Sequence, residues 1–211
     1  MIRSIRFIAL ASSLLAAFTL TAQQSAAQQN NEHQEFAVTI GALSGTNPSA
    51  TLGPLALGSG FALQANYARK TRDLKWANLY WEVNGLYNPL RHLSGFPPTA
   101  TSAIHSIYVT PGLRLQFTPD EKISPWLAAG GGFAFYDSSK SGLGGGAVAG
   151  GTANTGVVDF GGGVDIAMGK SYLLRGDVRG FYTGSPNFDT ANSGGQFNFV
   201  ISGGIVWRFP K

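Results

Sequence analysis

Eight stretches of this chain alternate apolar and polar side chains with a period of two, and within each stretch the charges keep to one track. In Gln196–Phe209, one track reads Phe197, Phe199, Ile201, Gly203, Ile205, Trp207 and Phe209. The other reads Gln196, Asn198, Val200, Ser202, Gly204, Val206 and Arg208. Successive side chains of a strand point to opposite faces of a sheet, so this period predicts strands with one apolar face. The other seven are Glu35–Leu43, Gly58–Arg69, Ala77–Tyr87, Ile107–Phe117, Trp126–Tyr136, Val158–Ile166 and Tyr172–Thr183. Several exceed the usual soluble strand of about 5–6 residues and match the roughly 9–11 residues of a strand that crosses a bilayer at a tilt.

The charges assign the two faces. Glu82, Arg114, Asp159, Asp165, Arg175, Asp177, Arg179 and Arg208 all lie opposite the apolar track. Four are acids and four are bases, so the set is formally neutral. An Arg turned to lipid at mid-membrane costs roughly 2–4 kcal/mol. Two of them on the Tyr172–Thr183 strand would cancel much of a domain's whole stability. The charged track is therefore expected to face a lumen and the apolar track lipid, the reverse of a soluble barrel. Gly60, Gly112, Gly130, Gly132, Gly161, Gly163 and Gly204 share the inward phase and leave room for Arg side chains, Tyr80, Tyr108 and Phe181. An eight-stranded barrel is just wide enough for side chains to fill it, so the expected interior is a polar plug of side chains and water. Trp76 and Trp126 also fall on the inward phase.

The connections alternate in length. Ser44–Leu57, Asn88–Ala103, Asp137–Asn154 and Gly184–Gly195 are long, whereas Lys70–Leu74, Thr118–Pro125 and Met168–Ser171 are short. That alternation predicts an all-β, eight-stranded antiparallel up-and-down transmembrane β-barrel with long extracellular loops and short periplasmic turns.

The chain begins with Arg3 and Arg6, continues through an apolar run over Phe7–Leu20 and reaches small residues at Ser25, Ala26 and Ala27. This is the layout of a secretory signal peptide over residues 1–27. The run is shorter than the roughly 20 residues of a spanning helix, and no Cys follows it to carry a lipid anchor. Residues 28–34 form a short polar segment, and residues 35–211 form the barrel. Composition fits an exported barrel. Charged residues make up 12% of the 211 residues and 29 are Gly, against about 25% charged and 7% Gly in typical soluble domains. The formal net charge of +4 comes without a long basic run, so no nucleic-acid partner is expected.

Ser202, Gly204, Trp207 and Phe209 lie in a pattern that resembles the terminal assembly signal of bacterial outer-membrane proteins: polar residue, Gly, aromatic, aromatic. The stretches Tyr108–Arg114, Pro125–Gly132 and Asp159–Asp165 are similar to the small OmpA/OmpX/OmpW-like outer-membrane barrels, and the resemblance covers Glu35–Phe209. It implies an outer-membrane location and a folding route through periplasmic chaperones and the barrel-assembly machinery. It also implies that outer-membrane lipids are the standing partners. The chain reaches only to the end of the barrel, so no periplasmic peptidoglycan-binding domain like that of OmpA is expected.

Candidate chemistry is sparse. Some small outer-membrane barrels are lipid A hydrolases, but such a site needs a nucleophile and base on one face. His105 adjoins Ser106, and neighbouring strand residues point apart. His33 precedes the barrel and His92 falls in an expected loop. Without Cys or a carboxylate cluster they make no metal site, and no cofactor is expected. The run Gly142–Gly151 lacks the Lys-Ser/Thr that would complete a phosphate loop. Arg69, Lys70, Arg72 and Lys75 sit at one turn, where they serve either lipid phosphates or solvent. The eight lumen charges are the candidate functional residues, as a structural ion-pair network or as a gate whose pairs exchange. The expected role is an envelope-stabilising, loop-displaying barrel without enzymatic activity. The alternatives are a narrow or gated pore for small solutes and, third, the lipid A hydrolase.

Overall fold

The computed structural model describes residues 34–45, 56–57, 60–94, 102–138, 152–184 and 195–209. The expected leader at 1–27, His33, most of the expected long loops, the Gly-rich run at 142–151 and the residues after Phe209 lie outside the described residues. The strands are β1 (Gln34–Gly45), the two-residue β2 (Ala56–Leu57), β3 (Gly60–Asp73), β4 (Ala77–Ser94), β5 (Ser102–Phe117), β6 (Ile123–Ser138), β7 (Thr152–Ala167), β8 (Tyr172–Thr183) and β9 (Gln196–Phe209). Every long strand pairs antiparallel with its neighbours, β1 with β9 and β4 with β5 included, so the eight long strands close into a barrel.

The register sets the shape. Gln34 pairs with Arg69, which pairs with Trp81, then Leu113, Ala129, Phe160, Gly180 and Phe199. Phe199 pairs with Ser44, so one circuit returns to β1 ten residues beyond its start. With eight strands, that offset tilts them by about 40° to the barrel axis.

Alternation holds along each wall. In β8 buried and exposed residues alternate from Tyr172 to Val178. The exposed track carries Phe36, Ile40, Phe61, Leu113, Leu127, Phe133, Phe160, Leu174, Ile201 and Ile205 around the outside. Exposure reaches 65% at Ile201 and 62% at Phe133, which a water-facing surface would not tolerate over so wide a belt.

Three described turns, at 74–76, 118–122 and 168–171, lie at the end of the barrel that holds Gln34 and Phe209. In the first, Asp73 Oδ1 accepts the Lys75 amide at 3.0 Å and Lys75 takes φ 68°. That bond holds the Asp73 carboxyl below its usual range. In the second, Ser124 Oγ donates to the Thr118 carbonyl at 2.8 Å.

Three expectations change. The link expected over 88–103 is shorter, because β4 continues to Ser94 and β5 begins at Ser102. A ladder of backbone hydrogen bonds needs no apolar pattern, so it passes the belt, with a bulge between Asn88 and Arg91 around Pro89. His92, expected in a loop, thus lies in β4 and pairs with Ala103. Trp76 does not face inward. It stands in the first turn, 61% exposed, and stacks on Phe117 at 5.9 Å.

Candidate functional site

Along each strand, the inward track divides into two zones. Nearer the turns stand Glu35, Glu82, Arg114, Trp126, Asp165, Arg175 and Arg208; nearer the other end stand Leu43, Leu86, Tyr108, Ala134, Val157, Phe181 and Val200. Period two delivers each residue to the lumen, and the shear decides which of them meet.

The charged zone is one connected network. Arg114 pairs with Glu35 and lies 3.3 Å from Glu82 and 3.5 Å from Asp165. Arg175 grips Asp165 with two bonds of 2.8 Å and reaches within 3.9 Å of Glu35. Arg208 holds Glu35 at 2.8 and 3.0 Å. Arg179 pairs with Glu82, with Asp159 at 3.0 Å and with Asp177 at 3.6 Å. The eight lumen charges therefore share one network. Arg208, at the turn end, is its most exposed member, with 22% of its side chain accessible. A polar chain continues from Asp177: Ser202 donates to it and contacts Thr39 at 2.9 Å, and Gln64 Nε2 donates to Ser202 at 2.8 Å.

Two members were not among the charges singled out in the sequence. Glu35 is the second residue of β1, on the same track as Thr39 and opposite Phe36, so parity alone marks it as inward. It raises the network to five carboxylates against four guanidiniums. Trp126 faces inward and is 1% exposed. Its indole stands 5.0 Å from Arg175, 5.2 Å from Arg179 and 5.9 Å from Arg114, a shared face for three cations. The Tyr80 ring supports Arg114 from 4.5 Å.

Beyond the charges an apolar cluster packs beside buried Asn88, Ser106, Thr183, Gln196 and Asn198, so the polar plug expected there is mixed with apolar packing. Leu43, Ala62, Leu86, Tyr108, Ala134, Tyr136, Val157, Phe181 and Val200 form one buried cluster. Tyr108 packs 5.4 Å from Phe181 and edge-on to Tyr136, and the two tyrosine hydroxyls meet at 3.2 Å. The lumen is thus filled by an ion-pair layer and an uncharged, largely apolar septum stacked along its axis.

No protein-family model matches the chain, and no curated protein is significantly similar to it. Solved structures are. Neisserial surface protein A superposes with a TM-score of 0.55 at 17% identity, over 85% of this chain and 100% of that one. OprG of Pseudomonas aeruginosa gives 0.55 at 9% identity, over 87% of this chain and 98% of that one. This chain has the fold of the small eight-stranded outer-membrane barrels.

In this outer-membrane-barrel fold, Trp207 lies on the outer face, 6.3 Å from Phe36 and 6.5 Å from Tyr172, and Phe209 is exposed at the strand end. Ser202 and Gly204 face inward, with Gly204 pressed against the Val38 carbonyl. Ser106 is buried on the lumen track, whereas His105 lies on the other track of the same strand. The structure does not bring them together.

Proposed function

We propose that the protein is an integral outer-membrane barrel that acts through its wall and its displayed loops, with a lumen closed to solutes. The observation that carries this reading is the double filling. A small ion would have to part an ion-pair network and then cross a packed cluster whose polar groups, the Tyr108 and Tyr136 hydroxyls and the Asn198 amide, already bond one another. Breaking one buried pair by removing a partner costs about 3–5 kcal/mol, and the septum adds desolvation on top. The outward belt and the fold shared with outer-membrane barrels support the location. Residues 1–27 act as the export signal, and Ser202, Gly204, Trp207 and Phe209 act as the recognition pattern for the barrel-assembly machinery after periplasmic chaperones have carried the chain. Outer-membrane lipids are the permanent partners.

Reconstitution into planar bilayers tests the closed lumen. The expected record is flat, and regular unitary steps would replace this reading by that of a narrow gated pore. Fractionation with outer membranes, and faster migration unboiled than boiled on a detergent gel, test the location. Recovery of the chain in the soluble periplasm would overturn it. An unchanged lipid A mass spectrum on expression is expected, and a deacylated product would restore the hydrolase reading.

A further inference from the structure

Charge is unevenly spread over the three described turns. The β5–β6 turn carries Asp120 and Glu121 against Lys122, and the β7–β8 turn carries Lys170 alone. The β3–β4 turn carries Arg69, Lys70, Arg72 and Lys75 against Asp73. That one acid is already engaged, since its Oδ1 accepts the Lys75 amide and its Oδ2 meets Lys70 Nζ at 3.5 Å. Among the described residues, the Arg72 and Lys75 side chains meet no acid, and both are exposed.

Strand geometry turns Arg72 toward the lipid side. On β3, Tyr67 and Arg69 lie on the outer track, and Lys70 lies on the inner track opposite Tyr80. Strict alternation would bring Arg72 to the inner track as well. Instead the register shifts between Lys70 and Arg72, so Thr71 is the extra residue and Arg72 pairs with Leu79. Leu79 is on the outer track, two positions before Trp81. A bulge of this kind re-aims the side chains beyond it. Arg72 therefore stands on the outer face between two aromatic levels. On one side is Trp81, 41% exposed; on the other is Phe117, level with Ala77, with Trp76 stacked on it.

Aromatic side chains at strand ends mark the level where hydrocarbon gives way to headgroups. Phe36, Tyr172 and Trp207 hold that level on other strands at the same end of the barrel. A guanidinium there meets lipid phosphate, whose oxygens match its planar fork. Lys75, next to Trp76, adds a second cation at the tip of the turn, its backbone fixed by the Asp73 bond to its amide.

We propose that Arg72 and Lys75, framed by Trp76 and Trp81, form a binding site for the phosphate of an anionic phospholipid in the leaflet at the turn end. A zwitterionic lipid offers the same phosphate together with a cation of its own, which these two side chains repel. The inference rests on the membrane location proposed above and adds to it a headgroup preference at one turn of the barrel.

Native mass spectrometry of the folded protein tests the site, after equilibration in detergent with equal amounts of phosphatidylglycerol and phosphatidylcholine. Bound phosphatidylglycerol is expected to predominate. The preference falls about fivefold in Arg72→Gln and about fivefold in Lys75→Gln, the worth of one basic residue at an anionic membrane surface. Lys122→Gln and Lys170→Gln remove the same charge from the neighbouring turns and leave the preference unchanged. Equal binding of the two lipids overturns the site. So does an equal loss in all four variants, which would reduce it to general surface charge, or displacement of the lipid by excess inorganic phosphate, which would make it a water-facing anion site. Faster migration unboiled than boiled, from vesicles of phosphatidylcholine alone, reports insertion independently of the headgroup. Equal lipid binding with that shift present removes the site alone; absence of the shift removes the membrane location and the site with it.

Discussion

Trp126 and Gly163 are direct cross-strand partners, and the indole lies over the glycine so closely that a Cβ there would stand 2.6 Å from the ring. The missing side chain on β7 is what lets a full-sized tryptophan lie inside an eight-stranded barrel and face three arginines.

Gly163→Ala should therefore lower stability by about 1–3 kcal/mol, the usual range for overpacking a filled interior. Gly176→Ala is the control, since a Cβ there meets nothing within 4 Å. Urea unfolding in lipid vesicles compares the two. Equal losses would mean that Trp126 is not seated as described.

Arg179→Ala removes the cation that Glu82, Asp159 and Asp177 share. The expected loss is about 3–5 kcal/mol. A triple variant with Arg179→Met, Asp159→Asn and Asp177→Asn should recover much of it, because Glu82 keeps Arg114 and the two acids that lose their cation are neutralised with it. Failure of the triple variant to recover stability would show that the arginine acts through packing of its stem rather than through charge.

The septum and the network should close the lumen independently. Arg179→Ala alone leaves Leu43, Leu86, Phe181 and Val200 in place and is expected to stay silent in planar bilayers. Leu86→Ala with Phe181→Ala hollows the septum at about 2–5 kcal/mol each and leaves the ion pairs intact, so it too should be silent. Joined with Arg179→Ala, it should conduct. Conductance from Arg179→Ala by itself would show that the charges are the only barrier.

Ile201, 65% exposed on the outer face, gives the direct test of the belt. Ile201→Arg should cost roughly 2–4 kcal/mol in vesicles, as an arginine near mid-membrane does, whereas Ile201→Leu should be close to neutral. A harmless Ile201→Arg would remove that face from lipid.

The sequence was read well where parity decides. Ile201 and Ser202 take opposite faces because adjacent strand residues must, and the inward phase of Trp126 followed although an indole looks out of place among arginines. Reading failed at strand ends. Alternation predicts an inward Trp76, but it lies in a turn, where period two no longer applies. Strand β4 ran past its apolar pattern because pairing with β5 supplies its hydrogen bonds whatever its side chains. Glu35 has the right parity but stands at the start of its strand, ahead of the alternation that marks the inward track.

By itself, then, the sequence determined the strands, their number and which side chain of each faces inward, because these follow from alternation within a few residues of chain. It did not determine who meets whom. Arg179 and Glu82 are 97 positions apart, and the one-circuit shift of ten residues brings them to a single level of the lumen. The same shift gathers Leu43, Leu86, Phe181 and Val200 into one septum, although no stretch of sequence shows them side by side. Closure is a property of all eight strands at once. Only the tertiary structure could therefore divide the interior into a charged layer and an uncharged one.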